Sequence, residues 1–367
     1  MEALMDQKIP VAVLGATGAV GQRFVSLLAD HPWFEIASVT GSERSQGQPY
    51  GEAVKWLLPG EIPTPVREMV IERTDALPSD IQLVFSALPS RVALEAEPEL
   101  ASRGYLVCSN ASAHRMEPDI PLLIPEINAD HLALIDHQRA QRGWPGFIVT
   151  SPNCASTAIV FPLKALDDAF GLSRVHAVTM QAVSGAGYPG VSSIEITDNI
   201  IPFIPGEEPK LEQESRKMLG EASTGTIEPG DFQVSAQVNR VPVLDGHLVA
   251  LSIGLRKKAD LEDITRALDT FKPPDSIAGL PSAPEHALLL RHEEDRPQPR
   301  LDREAENGMA VSVGRVQPCS VLDYKMISLV HNTLRGAAGG AVLNAELLVK
   351  QGFVDKYQES ETRSLMP

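Results

Sequence analysis

The sequence predicts an α/β protein in two lobes, a parallel sheet wrapped by helices followed by an α+β lobe built on a mixed sheet. Three observations predict it. Residues 9–40 read as strand, glycine turn, helix and strand, the opening of a βαβ unit. Two later runs, "IQLVFSALPS" and "YLVCSNAS", are apolar strands that end in small polar residues. Beyond about residue 150 the pattern changes to segments that alternate apolar and polar side chains.

The first strand is the β-branched, apolar run Ile9 to Leu14. It ends in Gly15, Gly18 and Gly21, after which Val20, Phe24, Leu27 and Leu28 recur at helical spacing and "FEIASVT" forms the next strand. Glycines at such a turn let the backbone approach a ligand, and the helix that opens there offers free amides to a phosphate. The spacing is G-x-x-G-x-x-G, and the alternative is a turn that serves packing alone. Its place between strand and helix favours a Rossmann-type dinucleotide site. The loop after the second strand, "VTGSERSQG", holds Ser42, Arg44 and Ser45 where an NAD-type site carries a carboxylate. A guanidinium flanked by hydroxyls suits a 2′-phosphate, so the expected cofactor is NADP. Glu43 shares that loop, and an ordinary polar turn is the bland alternative.

In the second lobe, "STAIVFPLKALDDAF" reads as a helix with a kink expected at Pro162. "VHAVTMQAVS", "FQVSAQVNRVPV", "GHLVALSIGLR" and "MAVSVGRVQ" read as half-buried strands, and "LEDITRALDTF" as a helix between them. "HEEDRPQPRLDREAENG" is charged and proline-rich, which reads as a solvated loop. A final helix lies within "GAAGGAVLNAELLVK".

Composition bounds the function. A chain of 367 residues, 43% hydrophobic and 22% charged, is a soluble protein of more than one domain. A net charge of -16 argues against nucleic acid or an anionic membrane as partner. Three scattered cysteines suit a reducing cytoplasm and exclude a disulfide framework or clustered metal site. The stretch "MEALMDQKIP" has no apolar targeting segment, and no apolar run is long enough to span a bilayer.

Chemistry centres on "TSPNCAST". Cys154 follows Pro-Asn and precedes a helical run, so it sits at a helix start, where the thiol pKa is expected to fall. A lone cysteine is also a common packing residue, as Cys108 and Cys319 in their apolar segments are read to be. His247 follows an Asp-Gly turn at the start of a strand, where it can face a cleft as an acid/base. Arg240, seven residues upstream, suits a carboxylate. A surface position near a hairpin is the alternative for both. Gln181 ends an apolar strand, and the backbone around Gly185 is open to a ligand. Glu207, Glu208 and Lys210 stand at a helix start, where acidic residues also favour the dipole alone.

Together "GATGAVGQRF", "YGEAVKWLLPGEIP", "SNASAHRM", "SPNCAST", "MQAVSGAGYPGV", "IPGEEPK", "NRVPVLDGH", "DRPQPRLD" and "RGAAGGAVLNAELL" resemble one family: aspartate-β-semialdehyde dehydrogenases of the branch shared by archaea, fungi and some bacteria. The resemblance covers almost the whole chain. It implies a Cys154 nucleophile, His247 as acid/base and Gln181 orienting the substrate. It further implies Arg240 on the substrate carboxylate and Glu207 at the amino group. Arg115 and Lys210 are placed on phosphate, with Asn110 beside them. Toward NADP it implies Gly15, Thr17, Gly18, Ala19 and Val20 at the pyrophosphate, and Ser42, Arg44 and Ser45 at the 2′-phosphate. It places Ser86 and Leu88 at the third-strand contacts, Asn344 near the nicotinamide, and Gly185 among the cofactor-binding residues.

The implied reaction is NADPH-dependent reductive dephosphorylation of L-aspartyl 4-phosphate through a thioester, in lysine, threonine and methionine biosynthesis. The implied rival is an acyl-CoA reductase of malonyl-CoA type. The implied domains are 1–152 plus 335–367 for NADP, and 153–334 for catalysis and pairing as a homodimer or homotetramer. No metal is expected.

Overall fold

The structure, a computed structural model, describes residues 8–354. The outermost parts of the expected first domain, 1–7 and 355–367, lie outside the described residues. The first sheet holds β1 (Ile9–Leu14), β2 (Phe34–Thr40), β3 (Ile71–Glu72), β4 (Leu83–Ser86), β5 (Leu106–Ser109) and β6 (Phe147–Thr150). Their order is β3-β2-β1-β4-β5-β6 and every pairing is parallel. Strand order therefore reverses between β1 and β4, and the crevice beyond their carboxyl ends is where such sheets take ligands. Helices α1 (Ala19–Leu28), α2 (Ser90–Ser102) and α3 (Leu134–Arg142) connect the strands.

Helix α4 (Cys154–Phe170) leads into the second lobe. Its sheet contains β7 (Leu172–Gln181), β8 (Gln233–Arg240), β9 (His247–Leu255), β10 (Leu288–Leu290), β11 (Val311–Pro318) and β12 (Tyr324–Val330), in the order β8-β7-β9-β12-β11-β10. Pairing is mixed: β7 lies parallel to β8 and antiparallel to β9. One face is covered by α4 together with α5 (Glu207–Met218) and α6 (Leu261–Asp269). The core there includes Ile159, Phe161, Val175, Val249, Leu251 and Met326. The opposite face carries Arg174, His176, Ser235, Gln237 and Lys325, all exposed. That alternation is what the sequence pattern of β7 and β8 predicts.

After β12 the chain turns through residues 334–338 and returns to the first lobe as α7 (Gly339–Lys350). Ala341, Leu343, Leu347 and Leu348 pack there in one core with Val11, Phe24, Phe34 and Phe85. The crossing is pinned by Arg335, whose guanidinium meets Glu126 at 2.5 Å, with the two side chains 1% and 0% exposed. It also lies over the ring of Phe161 from α4, 4.9 Å from the centroid.

Three sequence expectations need correction. α4 begins at Cys154 itself rather than two residues later, and Pro162 is held within it. "HEEDRPQPRLDREAENG" is no free loop: buried Asp302 accepts from Arg296 and from the Gln298 amide, and meets Arg291 at 3.3 Å. Cys319 lies in a turn beyond β11, with its thiol held below its usual range by the Leu322 and Val321 amides. Among the described residues no helix is long and apolar enough to cross a membrane.

The Arg335–Glu126 pair supplies a stability test. Glu126→Ala leaves a buried guanidinium unpaired and is expected to cost about 3–5 kcal/mol in denaturant unfolding. A loss below about 1 kcal/mol would mean that Arg335 finds water or another partner.

Candidate active site

Cys154 stands at the first position of α4 because Asn153 caps the helix. The Asn153 side-chain oxygen accepts from the Ala155 amide at 2.8 Å and from the Ser156 amide at 3.4 Å. Its Nδ2 donates to Glu207 Oε1 at 2.7 Å, and its backbone amide donates to Glu214 Oε2 at 2.6 Å. Behind Cys154 runs Gly336: a Cβ there would lie 2.7 Å from Cys154 Cβ, so only glycine fits.

Helix α5 delivers Glu207, Lys210 and Glu214 to the site. It starts after Gly206, whose φ of 65° a glycine adopts without strain. Glu207 turns inward and is buried, accepting also from Gln181 Nε2 at 3.2 Å. Glu208 is engaged elsewhere: its carboxylate accepts from the Val238 amide of β8 at 3.2 Å. Lys210, one turn on, reaches Glu207 Oε2 at 3.8 Å. Glu214 extends the same face and binds Arg115 Nη1 at 3.0 Å, while Arg115 Nη2 donates to the Asn110 carbonyl at 2.8 Å. Buried Lys217 fixes the Arg115 segment by donating to the carbonyls of Arg115, Glu117 and Ile120 at 2.7, 2.7 and 2.8 Å.

The other wall comes from the ends of β7, β8 and β9. Gln181 and Arg240 are cross-strand partners. Both Arg240 and His247 are held by the backbone of one residue, Ala182. Arg240 Nη1 donates to the Ala182 carbonyl at 2.8 Å, and the Ala182 amide donates to His247 Nδ1 at 3.1 Å. Asn332 fixes the turn before His247, accepting from the Gly246 amide and donating to Ser184 Oγ, each at 2.8 Å. Arg303, from the segment expected to be a solvated loop, donates to the Asp245 carbonyl at 3.1 Å. Gly185 sits against both functional groups. A Cβ there would fall 2.9 Å from Arg240 Nη1 and 3.0 Å from His247 Nε2.

Electrostatics correct the expectation of a lowered thiol pKa. Burial, reinforced by the Glu207 carboxylate, pushes Cys154 up to about 12 against the pull of Arg115, the Ala155 amide and Arg240. Burial first, then Arg240 and His331, hold His247 down at about 3. The resting site therefore contains a thiol and a neutral imidazole. Cys108 is buried in the first core and its thiol is likewise pushed up to about 12.

The dinucleotide crevice fits the group expected there. Gly15 has φ 68°, and a Cβ would approach the Ala87 carbonyl to 2.9 Å. Gly18 caps α1 without a side chain, which leaves the amides around Thr17, Ala19 and Val20 for a pyrophosphate. A cleft of about 640 Å³ is lined by Ser42, Arg44, Arg73, Thr74 and Asp75. Ser45 departs from expectation: it is buried, and its hydroxyl donates to the Ser42 carbonyl at 2.9 Å. Ser86 ends β4 beside the buried Glu97, and Leu88 follows, half-buried. Asn344 donates to Leu123 O and Ser151 Oγ at 3.3 and 3.2 Å, while its buried Oδ1 has no partner among the described residues. A free acceptor of that kind suits a carboxamide N–H.

Sequence reasoning missed Asn153, Glu214, Lys217, Asn332 and Arg73. Asn before a helical run is an N-cap signal, and Glu214 recurs two turns after Glu207. Asn332 and Arg73 carry no local signal.

Comparison with known proteins supplies the family. Residues 10–135 match the family model of the semialdehyde dehydrogenase NAD-binding domain, and residues 163–335 that of the dimerisation domain. The chain belongs to the semialdehyde dehydrogenase family. Family members similar to it include aspartate-semialdehyde dehydrogenases of Archaeoglobus fulgidus, 49% identical over 94% of this chain and 99% of the relative, and of Methanothermobacter thermautotrophicus, 50% identical over 93% and 99%. The malonyl CoA reductase (NADP) of Metallosphaera sedula is 39% identical over 96% of this chain and all of its own. Among solved family structures, Candida albicans aspartate semialdehyde dehydrogenase with NADP superposes with a TM-score of 0.87 at 38% identity, covering 95% of this chain and 100% of that one. The first lobe is thus the family's NAD(P)-binding domain, on a fold shared with an NADP complex.

Because the raised Cys154 pKa keeps the sulfur protonated at neutral pH, its alkylation by iodoacetamide in the free enzyme is expected to climb about tenfold per pH unit from pH 7 to 10. A plateau below pH 8 would show an ionised thiolate. Gly185→Ala is expected to displace Arg240 and His247 and to lower turnover by at least about tenfold with a native unfolding midpoint, measured by steady-state kinetics and denaturation side by side.

Proposed function

We infer that this chain reduces L-aspartyl 4-phosphate to L-aspartate 4-semialdehyde with NADPH, through a thioester on Cys154, in the cytoplasmic synthesis of lysine, threonine and methionine. The charge pattern around the sulfur carries this reading. Glu207, Arg115 and Arg240 all act on Cys154, and Lys210 stands within 3.8 Å of Glu207. Aspartyl phosphate presents an ammonium, a carboxylate and a phosphate, one group for each element of that pattern. Glu207 takes the ammonium, Arg240 the carboxylate, and Arg115 with Lys210 the phosphate.

Cys154 attacks the acyl carbon and phosphate departs, which divides one hard substitution into two easier steps. Gln181 and Asn153 hold Glu207, so the substrate's amino end is fixed relative to the sulfur. His247 Nε2 faces the carbonyl oxygen of the acyl group. NADPH, when bound at the glycine turn, supplies the hydride that reduces the thioester. The exposed face of the second sheet, within the region matched to a dimerisation domain, suits pairing as a homodimer or homotetramer.

A second reading, an acyl-CoA reductase, has the Metallosphaera sedula relative in its favour. It would leave Glu207 without a substrate ammonium to bind, since a malonyl thioester carries no α-amino group. The expected outcome is that purified protein oxidises aspartate semialdehyde with NADP⁺ only when phosphate or arsenate is present. Activity with a CoA thioester and none with phosphate would overturn the substrate. Cys154→Ser is expected to reduce turnover by at least about 10³-fold while NADPH binding, followed by fluorescence, stays unchanged. Turnover within tenfold of wild type would refute the nucleophile.

A further inference from the structure

The loop 109–115 carries the phosphate-side groups Asn110 and Arg115, and it lies against one face of α2. Ser90, Ala93 and Glu97 follow one another on that helix three and four residues apart, and each meets the loop. Ser90 Oγ lies 2.8 Å from Ser112 Oγ and accepts from the Ser112 amide at 3.2 Å. The Ala93 carbonyl accepts from His114 Nε2 at 3.2 Å. Glu97 Oε1 accepts from Ser109 Oγ at 2.6 Å, and Oε2 lies 3.8 Å from His114 Nε2. Both ends of the loop thus converge on one carboxyl, and that carboxyl is fully buried.

Only one oxygen of Glu97 is satisfied. Oε2 has no partner among the described residues, and neither has the buried Ser86 Oγ, which acts on the same carboxyl. A carboxylate left in that state is costly, and a neutral acid with its proton on Oε2 removes the cost. Burial pushes Glu97 up in the same sense, against the pull of Ser109, Ser86, His114 and Arg115.

The loop in turn offers two buried donors without a partner among the described residues, Asn110 Nδ2 and Arg115 Nε. The other nitrogens of Arg115 are committed, to Glu214 and to the Asn110 carbonyl. Free donors of this kind suit the oxygens of an anion, and their spacing holds only while the loop keeps its bed on α2.

We propose that Glu97 is a positioning residue for the substrate phosphate: it holds the loop 109–115 through Ser109 and so sets where Asn110 and Arg115 meet the anion. It acts through those two residues, from the buried face of α2. The inference rests on the acyl phosphate reading above, and its test separates the two.

Oxidation of aspartate semialdehyde by NADP⁺ is followed at varied phosphate, and NADPH binding is measured separately by fluorescence. Glu97→Leu removes the acceptor of Ser109. Its KM for phosphate is expected to rise at least about tenfold, with kcat within about threefold and NADPH binding within about twofold of wild type. Glu97→Gln keeps Oε1 and puts an N–H where the acid carries its proton, so its KM for phosphate is expected within about threefold of wild type. Ser109→Ala leaves the carboxyl in place but cuts its tie to the loop. It is expected to follow Glu97→Leu, and it decides the matter should that variant not fold. An unchanged KM for phosphate in Ser109→Ala, or a KM that rises only together with the NADPH dissociation constant, would overturn the inference. A Gln variant as impaired as the Leu variant would overturn the neutral acid and make Glu97 a carboxylate. Wild-type turnover that does not depend on phosphate would refute the substrate reading instead.

Discussion

The amino end of α4 is the point to which the whole site is referred. A helix that begins inside a protein exposes backbone N–H groups that water cannot reach, and each needs an acceptor. Here the requirement recruits Asn153 and Glu214, and through them everything else. Asn153 caps the helix with its oxygen and holds Glu207 with its nitrogen. Glu214 takes the Asn153 amide on one oxygen and Arg115 on the other. The acidic and basic groups that surround the sulfur are thus arranged by the same hydrogen bonds that allow the helix to start there. Removing the cap would disturb charge placement as much as helix stability.

The opposing wall follows the same economy. One residue, Ala182, orients the guanidinium of Arg240 with its carbonyl and the ring of His247 with its amide. The segment 291–303, charged throughout, backs this wall from outside the sheet through Arg303 and the buried Asp302. Arg291 and Arg296 of that stretch turn inward to Asp302 and Arg303 to the Asp245 carbonyl, while Glu293, Glu294, Asp295 and Arg300 stay exposed, so its polarity alone does not tell inward charge from outward.

Much of the fold was legible in the sequence where local signals are strong. The β1–glycine–α1–β2 unit shows as a β-branched run, glycine spacing and helical periodicity within 32 residues. Alternation marked β7, β8 and β9 because one face of that sheet is covered and the other open. β6 went unread because "FIVT" is four apolar residues with no alternation, indistinguishable from any buried segment. β12, "YKMISLV", was passed over between turn-forming residues although its period is plain. In the site, Cys154 at a helix start was readable from "PNC". Its electrostatics were not, since the helix amides are local while burial and Glu207 come from a chain segment more than 50 residues away. The orientation of His247 was equally hidden, because it depends on the amide of a residue 65 positions earlier.

The return of α7 to the first sheet has a consequence for how the protein is made. Leu343, Leu347 and Leu348 fill the groove beside Val11, Phe24 and Phe85, yet they are synthesised some three hundred residues later. A nascent chain that has finished the parallel sheet must carry an uncovered oily strip until α7 has been synthesised. Early protection by a chaperone, or by slow emergence of the rest, is therefore a demand written into the topology, and a fragment ending near residue 150 would inherit the strip with nothing to close it.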